Sequence, residues 1–368
     1  MGELSGKTAA ITAKKWYQLY IGILAALLVM IGAVVVILDP FFHYHAPLQG
    51  FYYRLSEQRY QNDGITKHFE YDSVITGTSM VENFRTSQFD GLFEAHSIKV
   101  PYPGATYREI NDNLEKAFAT HDRIRFVVRA LDYSHLIEDK DLLRSDMGEY
   151  PDYLYDRNIL NDVKYLYNGT VVGGYVAPML LGRLSGSVLP GVESFDAYGM
   201  STDTAYSPEN ALEGKTWFWR NDRDGQSISL TEADRMMLIQ NVEQNVTALA
   251  KRHPETVFYY FFPPYSAVWF GSLIEEGSFE KQLEAERIAS EMMLECGNIR
   301  VFSFSADREI TCDLNNYKDA GHYGPWVNEY ILECLRSGKY EVTSENLEAH
   351  LEEQRDLYYG MDFNSLLP

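Results

Sequence analysis

Tyr71–Phe84 reads YDSVITGTSMVENF. Asp72–Thr76 is rich in β-branched residues, so it reads as a short buried strand. Gly77-Thr78-Ser79 ends the strand, and from Met80 onward the residues suit a helix. A serine on a strand-to-helix turn stands where strand carboxyl ends, helix starts and loops converge. In open parallel sheets that edge binds ligands. Backbone N–H groups at a helix start can also receive an oxyanion. The plain alternative is that Ser79 only caps the helix, which is what an isolated G-x-S usually means.

A distant stretch shifts the balance. Asn315–Gly324 reads NNYKDAGHYG and follows a strand expected at Ile299–Phe304. It holds Asp319 and His322 at D-x-x-H spacing. A serine hydroxyl is a poor nucleophile at neutral pH and needs a base within hydrogen-bond reach. That base needs a carboxylate to fix its tautomer and stabilise its cation. One D-x-x-H loop can supply both.

The two stretches together resemble the first and last sequence blocks of the SGNH (GDSL-like) hydrolase superfamily. The layout is similar to its membrane-anchored, extracytoplasmic branch, which includes bacterial acetyltransferase-like proteins of cell-wall and exopolysaccharides and the teichoic-acid D-alanylation protein. The resemblance covers roughly Tyr71–Leu335. It implies Ser79 as nucleophile, His322 as base and Asp319 as the carboxylate that orients it. Gly104, in Val100–Thr106 (VPYPGAT), matches the second block. The resemblance therefore implies an oxyanion hole from the backbone N–H groups of Ser79 and Gly104. The third block of the family reads G-x-N-D. This chain has Arg129-Ala130-Leu131-Asp132-Tyr133 instead, so the oxyanion-hole asparagine is absent.

The 368 residues suffice for one large α/β domain or two small ones. With 32 basic and 53 acidic side chains the chain carries −21, which argues against a nucleic-acid partner. The same acidity disfavours docking on anionic lipid or teichoic-acid backbones. Its 27 Tyr and 19 Phe suit sugar stacking and an aromatic core equally well.

Residues 1–15 form a polar start, expected as a cytoplasmic tail. Residues 16–38 (WYQLYIGILAALLVMIGAVVVIL) carry no charge. At about 1.5 Å per residue they can cross a hydrocarbon core of about 30 Å. Trp16, Tyr17 and Tyr20 sit where an aromatic belt would lie. The apolar run is too long for a cleaved signal peptide and lacks a small-x-small site after it. Lysines before the span and Asp39 after it predict a single-pass cell-membrane anchor, with a cytoplasmic amino terminus and an extracytoplasmic domain. In the adjoining Asp39–Pro47 (DPFFHYHAP), His43 and His45 can share one side of an extended segment. No further Cys/His cluster accompanies them, so no metal and no cofactor are expected.

Residues 39–70 read as a juxtamembrane connector and 71–340 as the α/β domain. Short apolar runs at Ser73–Thr76, Ser97–Val100, Arg125–Leu131, Thr256–Phe262 and Arg300–Phe304 alternate with helical patterns at Thr106–His121, Thr231–Arg252 and Ser278–Cys296. Ser229-Leu230-Thr231-Glu232 resembles a capping box. Alternation implies crossover connections and a parallel sheet. The expected fold is thus α/β, a flavodoxin-like three-layer sandwich with a central parallel sheet of about five strands, preceded by one transmembrane helix.

Residues 138–229 break the alternation and read as an insertion or lid. Within it, Val171–Leu189 is apolar enough for a membrane contact, while its Gly and Ser residues favour simple packing. Residues 341–368 read as an acidic helical tail. Asp132, His135 and Tyr265 lie at the predicted carboxyl edge and are candidates for a substrate pocket. Of the three cysteines, Cys296 and Cys312 could bridge in an oxidising exterior, but buried thiols are the simpler account.

Two functional expectations follow. One is an extracytoplasmic serine O-acyltransferase or esterase, working through an acyl-Ser79 intermediate on a cell-surface glycan or other acyl-carrying substrate. The family implies polysaccharide acetylation beside a membrane O-acyltransferase partner. The other is a non-catalytic scaffold or accessory subunit of a membrane glycan-modifying complex, which the missing asparagine favours.

Overall fold

The computed structural model describes residues 2–144, 150–156, 158–200, 205–216 and 227–367. Parts of the insertion expected at 138–229 lie outside the described residues. The strands among the described residues are β1 (Tyr52–Tyr53), β2 (Ser73–Gly77), β3 (Ser97–Pro101), β4 (Phe126–Ala130), β5 (Gly191–Val192), β6 (Val257–Phe262), β7 (Ile299–Ser303) and β8 (Glu341–Val342). The chain divides into two compact units. The smaller is Met1–Arg54 with Pro151–Glu193, and the larger is Leu55–Tyr150 with Ser194–Pro368.

The smaller unit is built on the helix Gly2–Leu38, whose Ala13–Leu38 portion is long and apolar enough to cross a membrane. Asp39 stops the helix by turning left-handed (φ 41°), a conformation that Asp tolerates better than most residues. Its buried carboxylate accepts the N–H groups of His43 (3.0 Å), Tyr44 (2.7 Å) and His45 (3.0 Å) and the Tyr165 hydroxyl (2.8 Å). Tyr165 and Tyr175 pack their rings on Phe41, and Tyr167 donates to the Leu28 carbonyl (3.2 Å). Residues 151–193, expected inside an insertion of the α/β domain, thus belong with the N-terminal helix. The two imidazoles of the HYH stretch part company: His43 Nε2 lies 3.4 Å from Asp162, whereas His45 bonds the Ala46 and Val36 carbonyls.

The larger unit is organised on one sheet of order β3-β2-β4-β6-β7-β8. The first five strands are parallel, and β8 runs antiparallel to β7. Strands buried on both faces need near-continuous apolar sequence, as in Val257–Phe262 (VFYYFF). The sheet is therefore six-stranded and mixed, not five-stranded and parallel. The extra strand falls where a terminal helix was expected. Its two residues are too few for a periodic signal, and Glu341 is held there by an ion pair with Arg300 on β7. The helix itself starts later, at Leu347–Tyr359.

Other differences have equally local causes. The helix Gln58–His68 lies in the stretch expected as a connector. Its buried residues include Gln61, Asn62, Asp63 and Thr66, so it shows no apolar stripe. Their partners are specific: Gln61 takes the Ser56 and Glu57 N–H groups, and Asn62 donates to the Pro101 carbonyl. The capping box near residue 230 is formed by Thr231 and Asp234, two residues later than the sequence suggests. All three cysteines are free, with Cys296 and Cys334 buried.

Candidate active site

Gly77 ends β2 with φ 150°, and a Cβ there would meet Val81 Cγ1 at 2.8 Å. Only glycine fits, and it delivers the chain sharply into Thr78 and Ser79. The helix expected from Met80 is instead a single 3₁₀ turn, Ser79–Val81, and the next α-helix is Thr86–Phe93. The buried Lys99 of β3 explains the break. Its ammonium donates to the carbonyls of Glu82 (2.5 Å) and Phe84 (2.8 Å), which a continuing helix would have used itself. Burial brings the Lys99 pKa down to about 7.

Ser79 Oγ lies 2.7 Å from His322 Nε2. His322 Nδ1 contacts both carboxylate oxygens of Asp319, at 2.9 and 2.8 Å. An acceptor at Nδ1 selects the tautomer with its proton there, which leaves Nε2 free to accept the serine proton. Asp319 Oδ1 also takes the N–H groups of Gly321 (2.9 Å) and His322 (2.7 Å). Burial raises the Asp319 pKa, but these bonds and the imidazole outweigh it and bring it down to about 2. The carboxylate is thus ionised at neutral pH.

The two halves of the site are bolted together. Met80 O accepts from Asn328 Nδ2 (3.0 Å) and Tyr323 Oη (3.4 Å), and Asn83 Nδ2 donates to Tyr323 O (3.3 Å). Ser266, just past β6, donates through both N–H and Oγ to Ala320 O, fixing the D-x-x-H loop on the sheet edge. Gly104 follows β3, whose Pro101 pairs with Gly77, so Ser79 and Gly104 stand beyond the carboxyl ends of neighbouring strands. Neither the Ser79 nor the Gly104 N–H has an acceptor among the described residues. Gly104 is left-handed (φ 59°), and its carbonyl accepts from Arg144 Nη1 (2.6 Å).

Asp132 and Tyr265 do not line the open cleft. Both are buried, and Tyr265 Oη donates to Asp132 Oδ1 at 2.5 Å. Asp132 Oδ2 accepts from Thr78 Oγ1 at 2.7 Å. The pair therefore supports the serine turn from beneath. His135 sits in the 3₁₀ turn after β4 and bonds Glu138 (2.8 Å). Burial works against its charge, but Glu138 and Asp132 outweigh this and raise its pKa.

The cleft over Ser79 and His322 is lined by Glu82, Asn83, Tyr206, Lys318 and Tyr323, none of them candidates from sequence. Burial raises the Glu82 pKa, opposed by the Gln58 bond and the Lys318 charge. Tyr206 reaches the site because Ser207 N–H bonds Tyr317 O and its own ring packs on Trp326. Among the described residues no group of three or more His, Cys, Asp or Glu is placed to hold a metal ion.

No protein-family model, curated protein or solved structure matches this chain.

Proposed function

We propose that the chain is a serine acyl-transfer enzyme of SGNH-like type, an esterase or O-acyltransferase, acting outside the cell on a surface polysaccharide. The observation that carries this reading is the unbroken Ser79–His322–Asp319 hydrogen-bond chain at a strand-to-helix turn. Ser79 Oγ attacks the acyl carbonyl carbon while its proton passes to His322 Nε2. Asp319 stabilises the resulting imidazolium. The tetrahedral oxyanion is received by the Ser79 and Gly104 N–H groups. Collapse returns the proton from His322 to the leaving alcohol and leaves acyl-Ser79, which water or a glycan hydroxyl then releases. The order β3-β2-β4-β6-β7 supports a flavodoxin-like three-layer arrangement with β8 as an added edge, and the order reverses beside β2, where Ser79 follows. The N-terminal helix supports a single-pass anchor, and the lysines before it support an extracytoplasmic domain. A membrane O-acyltransferase partner as acyl donor belongs to the same reading.

One observation favours the accessory-subunit alternative. Asp132 stands in the segment where the family places its oxyanion asparagine, and both its carboxyl oxygens are taken as acceptors by Thr78 and Tyr265, so it offers an oxyanion no amide donor. The test is p-nitrophenyl acetate hydrolysis by the purified full chain in detergent micelles. The expected result is a loss of at least about 10³-fold in both Ser79→Ala and His322→Ala. Folded wild type with no turnover, on this ester and on acetylated oligosaccharides, would transfer the reading to the accessory subunit.

A further inference from the structure

The smaller unit holds a cavity of about 250 Å³. Its floor is buried and apolar in character, made by Pro40, Tyr53, Tyr175 and Met179. Two exposed guanidinium groups stand at its mouth. Arg54 lies over the Tyr175 ring, 4.6 Å from its centroid, and Arg183 lies against Gly50. The lining contains no Asp or Glu, and Arg183 makes no ion pair with any described residue. In a chain of net charge −21 the lining itself is thus cationic, with Glu193 the acidic neighbour beside Tyr52.

Three features say what such a cavity takes. Pro40 lines it two residues beyond Leu38, the last residue of the apolar helix, which sets the cavity at headgroup depth if that helix spans a bilayer. The neighbouring surface is greasy, with Leu181, Leu184 and Leu189 exposed by 65%, 82% and 87%. Exposed apolar side chains so close to a span are at home in acyl chains rather than water. The volume is below the roughly 300–1,000 Å³ of pockets that enclose a whole small molecule, so the ligand enters only in part. Arginine forks match phosphate geometry.

We infer that this cavity seats one anionic membrane lipid, its phosphodiester met by Arg183 and Arg54 and its upper acyl chain laid on Tyr175 and Met179. The remainder of the lipid stays in the bilayer. This site is separate from Ser79 and does not depend on any catalysis there.

The full chain is reconstituted in phosphatidylcholine nanodiscs doped with photoactivatable phosphatidylglycerol, irradiated and digested for mass spectrometry. Adducts concentrate on peptides bearing residues 50–54 and 174–183, and unlabelled phosphatidylglycerol competes while glycerol 3-phosphate does not. Labelling falls about tenfold in Arg183→Glu, where the exposed guanidinium is replaced by a charge of the phosphate's own sign, and falls less in Arg183→Lys, which keeps the charge but not the fork. It falls similarly in Gly174→Leu, where an added Cβ meets only Thr170 Cγ2 at 3.7 Å, so the side chain can fill the cavity. Adducts spread evenly along the N-terminal helix, or labelling unchanged in both variants, overturns the proposal. Competition by glycerol 3-phosphate equal to that by the lipid overturns the choice of a lipid over a soluble phosphate.

Discussion

The two units bury alike but differ in what they leave outside. In the larger one apolar strands are inside, and the charges that share that interior are bonded: Lys99 to backbone carbonyls, Arg129 to the Asn245 carbonyl, Asp132 to two hydroxyls. In the smaller one Phe41, Phe42 and Tyr165 are buried with Asp39 and Asp162, but Leu181, Leu184 and Leu189 stand outside. Exposed leucines in number are what contact with a hydrocarbon solvent would favour, because lipid rewards exposed leucine. The contrast teaches that the same chain can close one unit around its sheet while leaving the apolar face of the other uncovered.

Removing the polar centre of the smaller unit should have the largest effect. Asp39→Ala strands three N–H groups and the Tyr165 hydroxyl, at a cost of about 3 kcal/mol. Hydrogen exchange at residues 43–45 should speed up about 100-fold in micelles. Unchanged protection would mean that Asp39 is not the centre of that unit.

Next comes Lys99 in the larger unit. With its pKa brought down to about 7, the unfolded chain binds a proton that the folded one does not from pH 7 up to about 10.5. The slope is therefore positive, and stability rises with pH across that window. Lys99→Met should lose this rise, and its urea midpoint at pH 9 should fall by the equivalent of about 2 kcal/mol. Parallel pH profiles for the two proteins would show that the amine is not buried as described.

The smallest energetic effect sharpens the contrast most. Leu184→Trp should leave stability within about 0.5 kcal/mol, because the side chain is exposed. Its fluorescence should nevertheless be quenched by brominated acyl chains in vesicles. An unquenched tryptophan would place Leu184 in water and break the comparison.

The Ser79 turn and the Asp319/His322 loop are legible in sequence because each is written locally, as a glycine-ended strand and as two residues three apart. The parallel order is legible for the same reason, through alternation. What escapes is non-local. Lys99 interrupts the Met80 helix from a neighbouring strand, and Tyr206 arrives from a stretch without periodicity. Asp132 is visible as an edge residue, but its bonds to Thr78 and Tyr265 bridge separations of 54 and 133 positions. The helix Gln58–His68 is hidden because it buries a polar face, and the grouping of residues 151–193 with the N-terminal helix rests on one aspartate and a few rings.

The bond between Asn328 and the Met80 carbonyl has a consequence in time. Ser79 and His322 are 243 positions apart, and the bonds that fasten one half to the other come from Tyr323 and Asn328, at and just beyond the base. A growing chain therefore carries its hydroxyl for most of its synthesis without a base. Contacts of such sequence separation form late, once loop closure has been offset by the rest of the sheet. On the acyl-transfer reading proposed above, the site is latent until the chain has passed His322, Tyr323 and Asn328, and a fragment ending before His322 should show no esterase activity.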